Sequence, residues 1–217
     1  AWAGAALARP VKILLTRPKG RNEELARAIR AAGHEAECVP LIALEPLGDE
    51  PIDLDGYDWV LVTSAMGARE LRRRGRGRPG KFAAIGRTTA DALGDADLVA
   101  RVSTQEGLLA ELPRPAGRVL FAGAESARRL LIEELEAEFV PLYRTRQLAP
   151  TLPNADLVVL ASPSAARAYA AIGARGPAVS IGPETTSAAK SLGLDVVGEA
   201  STQDADGLLA AVEAATR

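Results

Sequence analysis

The chain repeats itself. Asp58-Trp-Val-Leu-Val-Thr-Ser64 is echoed by Asp156-Leu-Val-Val-Leu-Ala-Ser162, 98 positions on, and Arg69 falls on Arg167 at the same offset. Ala84-Ile-Gly-Arg-Thr-Thr89 is echoed by Ser180-Ile-Gly-Pro-Glu-Thr185 at an offset of 96. Ser103-Thr-Gln-Glu-Gly-Leu-Leu109 returns as Ser201-Thr-Gln-Asp-Ala-Asp-Gly-Leu-Leu209, with two residues added. Val39-Pro-Leu-Ile42 returns as Val140-Pro-Leu-Tyr143 at an offset of 101. One such match arises by chance, but four in the same order describe two related halves. The length of 217 residues suits one large domain or two small ones.

Within each half, short apolar runs alternate with stretches of helical period. The strands expected in the first part of the chain are Val11–Thr16, Trp59–Thr63, Lys81–Ile85, Val99–Val102 and Arg118–Phe121. Between them, helices are expected at Asn22–Ala32, Ala65–Arg73, Thr88–Leu93, Glu106–Leu112 and Glu125–Glu136. The second part reads as strands Leu157–Leu160, Ala178–Ile181 and Asp195–Val197, with helices Ser164–Ile172, Thr185–Leu192 and Ala205–Ala215. This alternation means an α/β fold with parallel sheets covered on both faces. Val39–Leu44 and Phe139–Gln147 fit neither pattern, since both mix Pro with extended-type residues. Two arrangements account for them. They are two connectors crossing between domains, the first domain then holding both chain ends, or the chain is simply cut into consecutive halves near Pro115.

Composition removes several function classes. A net charge of −2 and 4% aromatic content argue against a nucleic-acid partner. Cys38 is the single cysteine, so no intrachain disulfide forms and a reducing cytoplasm is expected. No run approaches the roughly 18 apolar residues of a membrane span. Ala1–Pro10 lacks the charged start and full apolar core of a signal peptide and reads as a disordered leader.

Familiar catalytic templates are absent as well. There is no Gly-x-x-x-x-Gly-Lys-Ser/Thr loop, no Gly-x-Gly-x-x-Gly after the first strand and no Gly-x-Ser-x-Gly elbow. His34 is the single histidine, and with Cys38 it makes two ligands at most, too few for a zinc site. Both read as ordinary residues of a helix-to-strand turn.

The informative positions follow the strands, where open α/β sheets bind ligands against helix N-termini. They are Thr16-Arg17-Pro18, Thr63-Ser64-Ala65, Gly86-Arg87-Thr88-Thr89, Ser162-Pro163-Ser164 and Gly182-Pro183-Glu184-Thr185. Hydroxyls and backbone N–H groups at such positions suit a carboxylate or phosphate, though Ser and Thr there also serve as plain helix caps. Arg17, Arg87, Arg128, Arg144 and Arg167 could pair with an anion bidentately. The arginine-rich run Arg69–Lys81 reads mainly as a solvated helix end and mobile loop. Tyr143, in the second connector, can donate a proton to a departing hydroxyl or pack the connector.

Taken together these strings resemble the uroporphyrinogen-III synthase family. The resemblance runs from Val11 to Val212. It is carried by Leu15-Thr-Arg-Pro18, Pro40-Leu-Ile42, Tyr57-Asp-Trp-Val-Leu-Val-Thr-Ser64, Ala84-Ile-Gly86 with Thr89, Val119-Leu120, Tyr143-Arg-Thr145, Ser162-Pro-Ser164 and Ile181-Gly-Pro183 with Thr185. It implies two flavodoxin-like parallel-sheet domains joined by a two-stranded linker, the first discontinuous. Domain 1 is then 1–38 with 147–217, domain 2 is 44–139, and the linkers are 39–43 and 140–146. It implies a cofactor-independent cytoplasmic lyase of tetrapyrrole biosynthesis, a monomer, whose substrate is hydroxymethylbilane and whose product is uroporphyrinogen III, with hand-over from the bilane-forming deaminase. No metal is implied.

By family position Tyr143 assists hydroxyl loss. Thr89, Ser162 and Thr185 are the implied hydroxyls lining the cleft, with Thr63 and Ser64 on its rim, and Arg17, Gly86, Ser164 and Gly182 join them as substrate-binding candidates from their places after the strands. Where many relatives carry Ala-Asn after the Thr-Ser pair, this chain has Ala65-Met66-Gly67, so no side-chain role carries over at Met66. The rival from another class is a non-catalytic two-domain protein that closes on a small anion, or a regulator that kept the fold.

Overall fold

The computed structural model describes residues 10–216. The leader expected at Ala1–Pro10 falls almost wholly on residues 1–9, outside the described residues. In chain order the elements are β1 (Lys12–Leu15), α1 (Glu23–Ala31), β2 (Glu35–Cys38), β3 (Ile42–Pro46), β4 (Ile52–Asp53), β5 (Trp59–Val62) and α2 (Ala65–Arg74). There follow β6 (Gly75–Arg76), β7 (Lys81–Ala84), α3 (Arg87–Leu93), β8 (Leu98–Val99), α4 (Gln105–Glu111), β9 (Val119–Ala124), α5 (Leu130–Leu135) and β10 (Glu138–Gln147). The last are β11 (Leu157–Leu160), α6 (Pro163–Ala171), β12 (Pro177–Ser180), α7 (Pro183–Ser191), β13 (Asp195–Glu199) and α8 (Ala205–Ala215).

The chain divides into two compact units. Unit 1 comprises Ala1–Ala43 with Arg146–Arg217, and unit 2 comprises Leu44–Thr145. The sheet of unit 1 runs β2-β1-β11-β12-β13 and its ladders are parallel. In chain order that is the 2-1-3-4-5 arrangement of doubly wound, flavodoxin-like sheets. The sheet of unit 2 runs β8-β7-β5-β9-β10, with β3 added beyond β10. Counting unit 1 from β11 instead of β1 gives the same order as unit 2, with β11 matching β5, β12 matching β7 and β1 matching β9. The sequence repeat is thus a repeat of topology, entered at a different strand.

Both faces of each sheet are covered, which is why the strands are apolar without alternation. In β1, Ile13 and Leu15 face Leu25 and Ile29 of α1 and Leu208 and Val212 of α8. Leu14 faces the other way, toward Ala166 and Tyr169 of α6 and Ala189 of α7. In β5, Val60 and Val62 meet Ala68 and Leu71 of α2. Trp59 and Leu61 meet Leu108 of α4 and Leu131 of α5. Each fully buried Leu or Ile of this kind contributes about 1.5–3 kcal/mol.

The repeated Ser-Thr-Gln motif proves to be a helix start. Thr104 Oγ1 accepts the Gly107 N–H at 3.0 Å to cap α4, and Asp204 Oδ1 accepts the Gly207 N–H at 2.8 Å to cap α8. A Cβ on Gly107 would lie 2.2 Å from the Val102 carbonyl oxygen, and one on Gly207 2.3 Å from that of Thr202. Only glycine lets the preceding chain fold down onto the helix. Gly207→Ala is therefore expected to destabilise unit 1 by about 2 kcal/mol, the usual cost of an overpacked contact. A guanidinium melt in which Gly207→Ala matches the parent midpoint would refute this account of the motif.

Two expectations from the sequence change. The helix read at Glu125–Glu136 is shortened to Leu130–Leu135. Glu125 donates its N–H to the Tyr143 carbonyl and Ala127 donates to that of Ala124, so those amides close a loop. The strand read at Val99–Val102 stops at Val99, because the Val102 carbonyl takes the Thr104 N–H at 2.7 Å in the turn into α4. Phe139–Gln147, whose residues read as extended, lies within one ten-residue strand whose first part pairs with β9 as far as Tyr143.

Candidate functional site

The positions singled out in the sequence lie at the C-terminal ends of the parallel strands in each unit. In unit 2, Ser64 follows β5 and caps α2, its Oγ accepting the Gly67 N–H at 2.9 Å. The same Oγ accepts the Tyr143 hydroxyl proton at 3.0 Å. Tyr143 reaches it from β10, across β9, and is 8% exposed. A serine hydroxyl has two acceptor sites and one donor. With both acceptor sites taken, Ser64 can act only as a donor toward a third group. Thr63 beside it is half-buried, and Met66, for which no side-chain role carried over, packs partly against the core.

Gly86 and Thr89 begin α3, and Thr89 is 5% exposed. A Cβ at Gly86 would sit 2.5 Å from Ser103 Oγ, so this backbone is pressed against the start of the repeated motif. The matched glycine of unit 1, Gly182, lies against Gln203 in the same way, where an added Cβ would sit 3.2 Å from Nε2.

In unit 1, Thr16 is fully buried and donates its hydroxyl proton to the Val159 carbonyl at 2.7 Å, fastening the end of β1 to β11. Arg17 follows, half-buried. Burial, and then Arg21, pull its guanidinium pKa below the ordinary value, with Glu24 and Asp204 opposing. Ser162 caps α6 by accepting the Ala165 N–H at 3.1 Å. Ser164 Oγ accepts from Arg167 at 3.3 Å. Thr185, in the first turn of α7, is 2% exposed. Capping is thus real at Ser64 and Ser162, while Tyr143 gives Ser64 a contact that capping does not require.

The five candidate arginines separate. Arg128 forms a two-pronged pair with Glu106, at 2.7 and 3.0 Å, which holds the Glu106 carboxyl down at about 2. Arg144 pairs with Glu45 at 3.0 Å, and Arg87 lies 3.9 Å from Asp91. Arg167 is exposed on α6. Arg17 is the half-buried one, and it has no ion pair among the described residues. In the arginine-rich run, Arg74 is 7% exposed and donates to the Leu47 and Glu50 carbonyls at 2.6 and 2.9 Å. Arg73 pairs with Glu70 and Asp49. These two arginines hold the 47–50 loop, a role that the charge of the run alone did not suggest. His34 accepts the Val11 N–H on Nδ1 at 3.4 Å, a structural contact.

Sequence reasoning missed four polar groups at these rims. Asn22 and Gln105 are buried carboxamides, each with an oxygen that has no hydrogen-bond partner among the described residues. Ser180 and Thr186 share a hydrogen bond at 2.5 Å, and Thr186 donates to Glu199. Spacing marks Asn22 and Gln105 as helix starts but carries no sign of their burial.

Concavities also open at the opposite, N-terminal ends of the strands. One of about 410 Å³ is lined by Lys12, Glu35 and Asp156, and one of about 370 Å³ by Asp58, Lys81 and Gly117. The C-terminal rims carry the helix starts and hydroxyls that a parallel sheet offers a ligand, which makes them the candidate site. Among the described residues no cluster of His, Cys, Asp or Glu could hold a metal ion, and no helix is long and apolar enough to cross a membrane.

Residues 23–210 match the family described as "Uroporphyrinogen-III synthase HemD". A uroporphyrinogen-III synthase of Synechococcus elongatus is 26% identical over 93% of this chain and 94% of its own. A relative from Methanocaldococcus jannaschii is 27% identical over 151 residues, so the chain spans 63% of the length of that relative. Among solved structures, a mutant uroporphyrinogen III synthase of Thermus thermophilus is similar with a TM-score of 0.65 and 18% identity, over 94% of this chain and 98% of that one. At that identity the likeness speaks to the fold.

Proposed function

The chain belongs to the uroporphyrinogen-III synthase family, and from that membership we propose that it converts hydroxymethylbilane to uroporphyrinogen III. The hydroxyl leaves the terminal carbon with a proton, as water. The resulting azafulvene cation is attacked by the substituted position of the last pyrrole ring, giving a spiro intermediate. That intermediate fragments and recloses with the last ring reversed, and a proton is lost. The balance is one bilane to one macrocycle and one water. Uncatalysed closure gives the unreversed isomer, so the protein's task is control of geometry, where positioning is worth up to roughly 7–11 kcal/mol in well-oriented systems.

The observation that carries the residue assignment is the Tyr143–Ser64 hydrogen bond. Ser64, with both acceptor sites occupied, delivers its proton to the departing hydroxyl and is resupplied by Tyr143. Thr63, Gly86 and Thr89 in unit 2, and Arg17, Ser162, Ser164, Gly182 and Thr185 in unit 1, hold the acetate and propionate side chains. Helix starts and one guanidinium suit those carboxylates. The same reading places the protein in the cytoplasm as a monomer and takes its substrate from the bilane-forming deaminase.

The test is the product isomer. Hydroxymethylbilane generated in situ is incubated with and without the purified protein, the products are oxidised, and the porphyrin isomers are separated. The type III isomer is expected to dominate with protein present. A ratio equal to the protein-free control, from folded protein, sinks the synthase reading in favour of an anion-binding module.

A further inference from the structure

Each unit has a buried carboxamide bonded to an arginine carbonyl, though the two come from helices that the repeat does not match. In unit 1, the Asn22 carboxamide donates from Nδ2 to the Arg17 carbonyl at 3.1 Å. In unit 2, the Gln105 carboxamide donates from Nε2 to the Arg128 carbonyl at 3.2 Å. Arg17 lies in the loop after β1 and Arg128 in the loop after β9, the strand that corresponds to β1 in the repeated topology. Asn22 is 3% and Gln105 5% exposed, and each leaves its carboxamide oxygen buried and unpartnered among the described residues. A buried unpartnered acceptor is costly and calls for a reason. For Asn22 a second cost is added. It is the N-cap residue of α1, where asparagine normally accepts a first-turn N–H, yet it makes no side-chain cap bond. Its carboxamide is turned to Arg17 instead.

The two arginines so held differ in one respect. Arg128 is neutralised by Glu106. Arg17 is half-buried with Arg21 beside it, and the acidic groups that act on it, Glu24 and Asp204, form no ion pair with it. Asp204 is occupied with the Gly207 N–H and the Thr202 hydroxyl. Thr16 fixes one end of the Arg17 loop on β11, and Asn22 fixes the other.

We infer that Asn22 is a positioning residue, giving up its capping bond to hold Arg17 as the guanidinium that receives a substrate carboxylate, and that Arg128, in the matching loop of unit 2, is withheld from that role by Glu106. Carboxylate recognition by arginine is then one-sided in an otherwise duplicated molecule. The inference rests on the proposed synthase activity and on Arg17 binding substrate.

Steady-state kinetics with hydroxymethylbilane generated in situ test it, using Arg17→Gln, Asn22→Ser and the double variant. Serine is itself a good N-cap, so Asn22→Ser keeps α1 capped and its melting temperature is expected to equal or exceed the parent's. Arg17→Gln is expected to raise KM about tenfold or more, the scale of one lost charge-assisted hydrogen bond, with kcat little changed. Asn22→Ser is expected to raise KM roughly fivefold, and the double variant to be no worse than Arg17→Gln alone, as residues acting through one another behave. Asn22→Ser with a normal KM, or with the same KM penalty in the Arg17→Gln background as in the parent, overturns the inference. A parent enzyme that makes the type III isomer, with KM unmoved in Arg17→Gln, overturns it while leaving the activity standing. A parent that makes none overturns both.

Discussion

Phe121→Ala is expected to cost unit 2 about 3–5 kcal/mol, the range for truncating a fully buried aromatic. Phe121 lies in β9, between β5 and β10, and is wholly inaccessible to solvent. Its ring packs against Phe139 of β10, with centroids 5.4 Å apart, and within the cluster formed by Trp59, Leu61, Leu108 and Leu131. Removing it empties the face of the sheet covered by α4 and α5, and β9 cannot shift to fill the space because it is laddered on both sides. At about 2–4 °C per kcal/mol for a chain of this length, the melting temperature should fall by roughly 10 °C. The loss should be local. Hydrogen exchange should rise through β5, β7, β9 and β10, while the clusters of unit 1, which contain no unit 2 residue, keep their protection. Uniform loss of protection across both sheets would mean that the two units do not unfold separately and that this local account is wrong.

The contrast between strands and loops explains what could be read from sequence. Leu157–Leu160 was legible to the residue because all four side chains are buried, so the strand ends where burial ends. The same holds for α8, where Leu208, Ala211 and Val212 keep a helical spacing. Parallel α/β layering follows from such runs and from their alternation with helices, and the match to the Thermus structure agrees with it. Glu125–Arg129 has the composition of a helix, but the Glu125 amide is claimed by the Tyr143 carbonyl, which only the fold brings near, and the Ala127 amide closes a turn on Ala124. Strand β2 carries Glu35 and Glu37 in an exposed-intermediate pattern at a sheet edge, and gives no apolar run to detect.

The site divides in the same way. Hydroxyls after strands are visible as local strings, which is why Thr63, Ser64, Ser162 and Thr185 could be named in advance. Which of them meets a distant partner was not visible. The Tyr143–Ser64 contact spans 79 residues, and the Asn22 carboxamide stands out only through the cap bond it does not make.

Tyr143→Phe is the substitution expected to move turnover most. It deletes one oxygen and keeps the ring, which packs with Val60, Val62 and Leu142 in a core that needs no hydroxyl. The lost hydrogen bond to Ser64 is worth about 1 kcal/mol of stability, so the melting temperature should move by only a few degrees. If Ser64 protonates the departing hydroxyl and Tyr143 resupplies the proton, kcat should fall by about a hundredfold, the lower end for a positioned proton donor. KM should stay near the parent value, because the contact matters as the carbon–oxygen bond breaks. Ser64→Ala should give a similar fall in kcat together with the cost of a lost helix cap, about 1 kcal/mol. The double variant distinguishes a relay from two separate contributions. A relay is already broken by either change, so Tyr143→Phe with Ser64→Ala should be little slower than Ser64→Ala alone. Multiplying penalties would instead assign the two hydroxyls independent roles. Unchanged kcat in Tyr143→Phe would remove the phenol from the chemistry and leave the contact as packing.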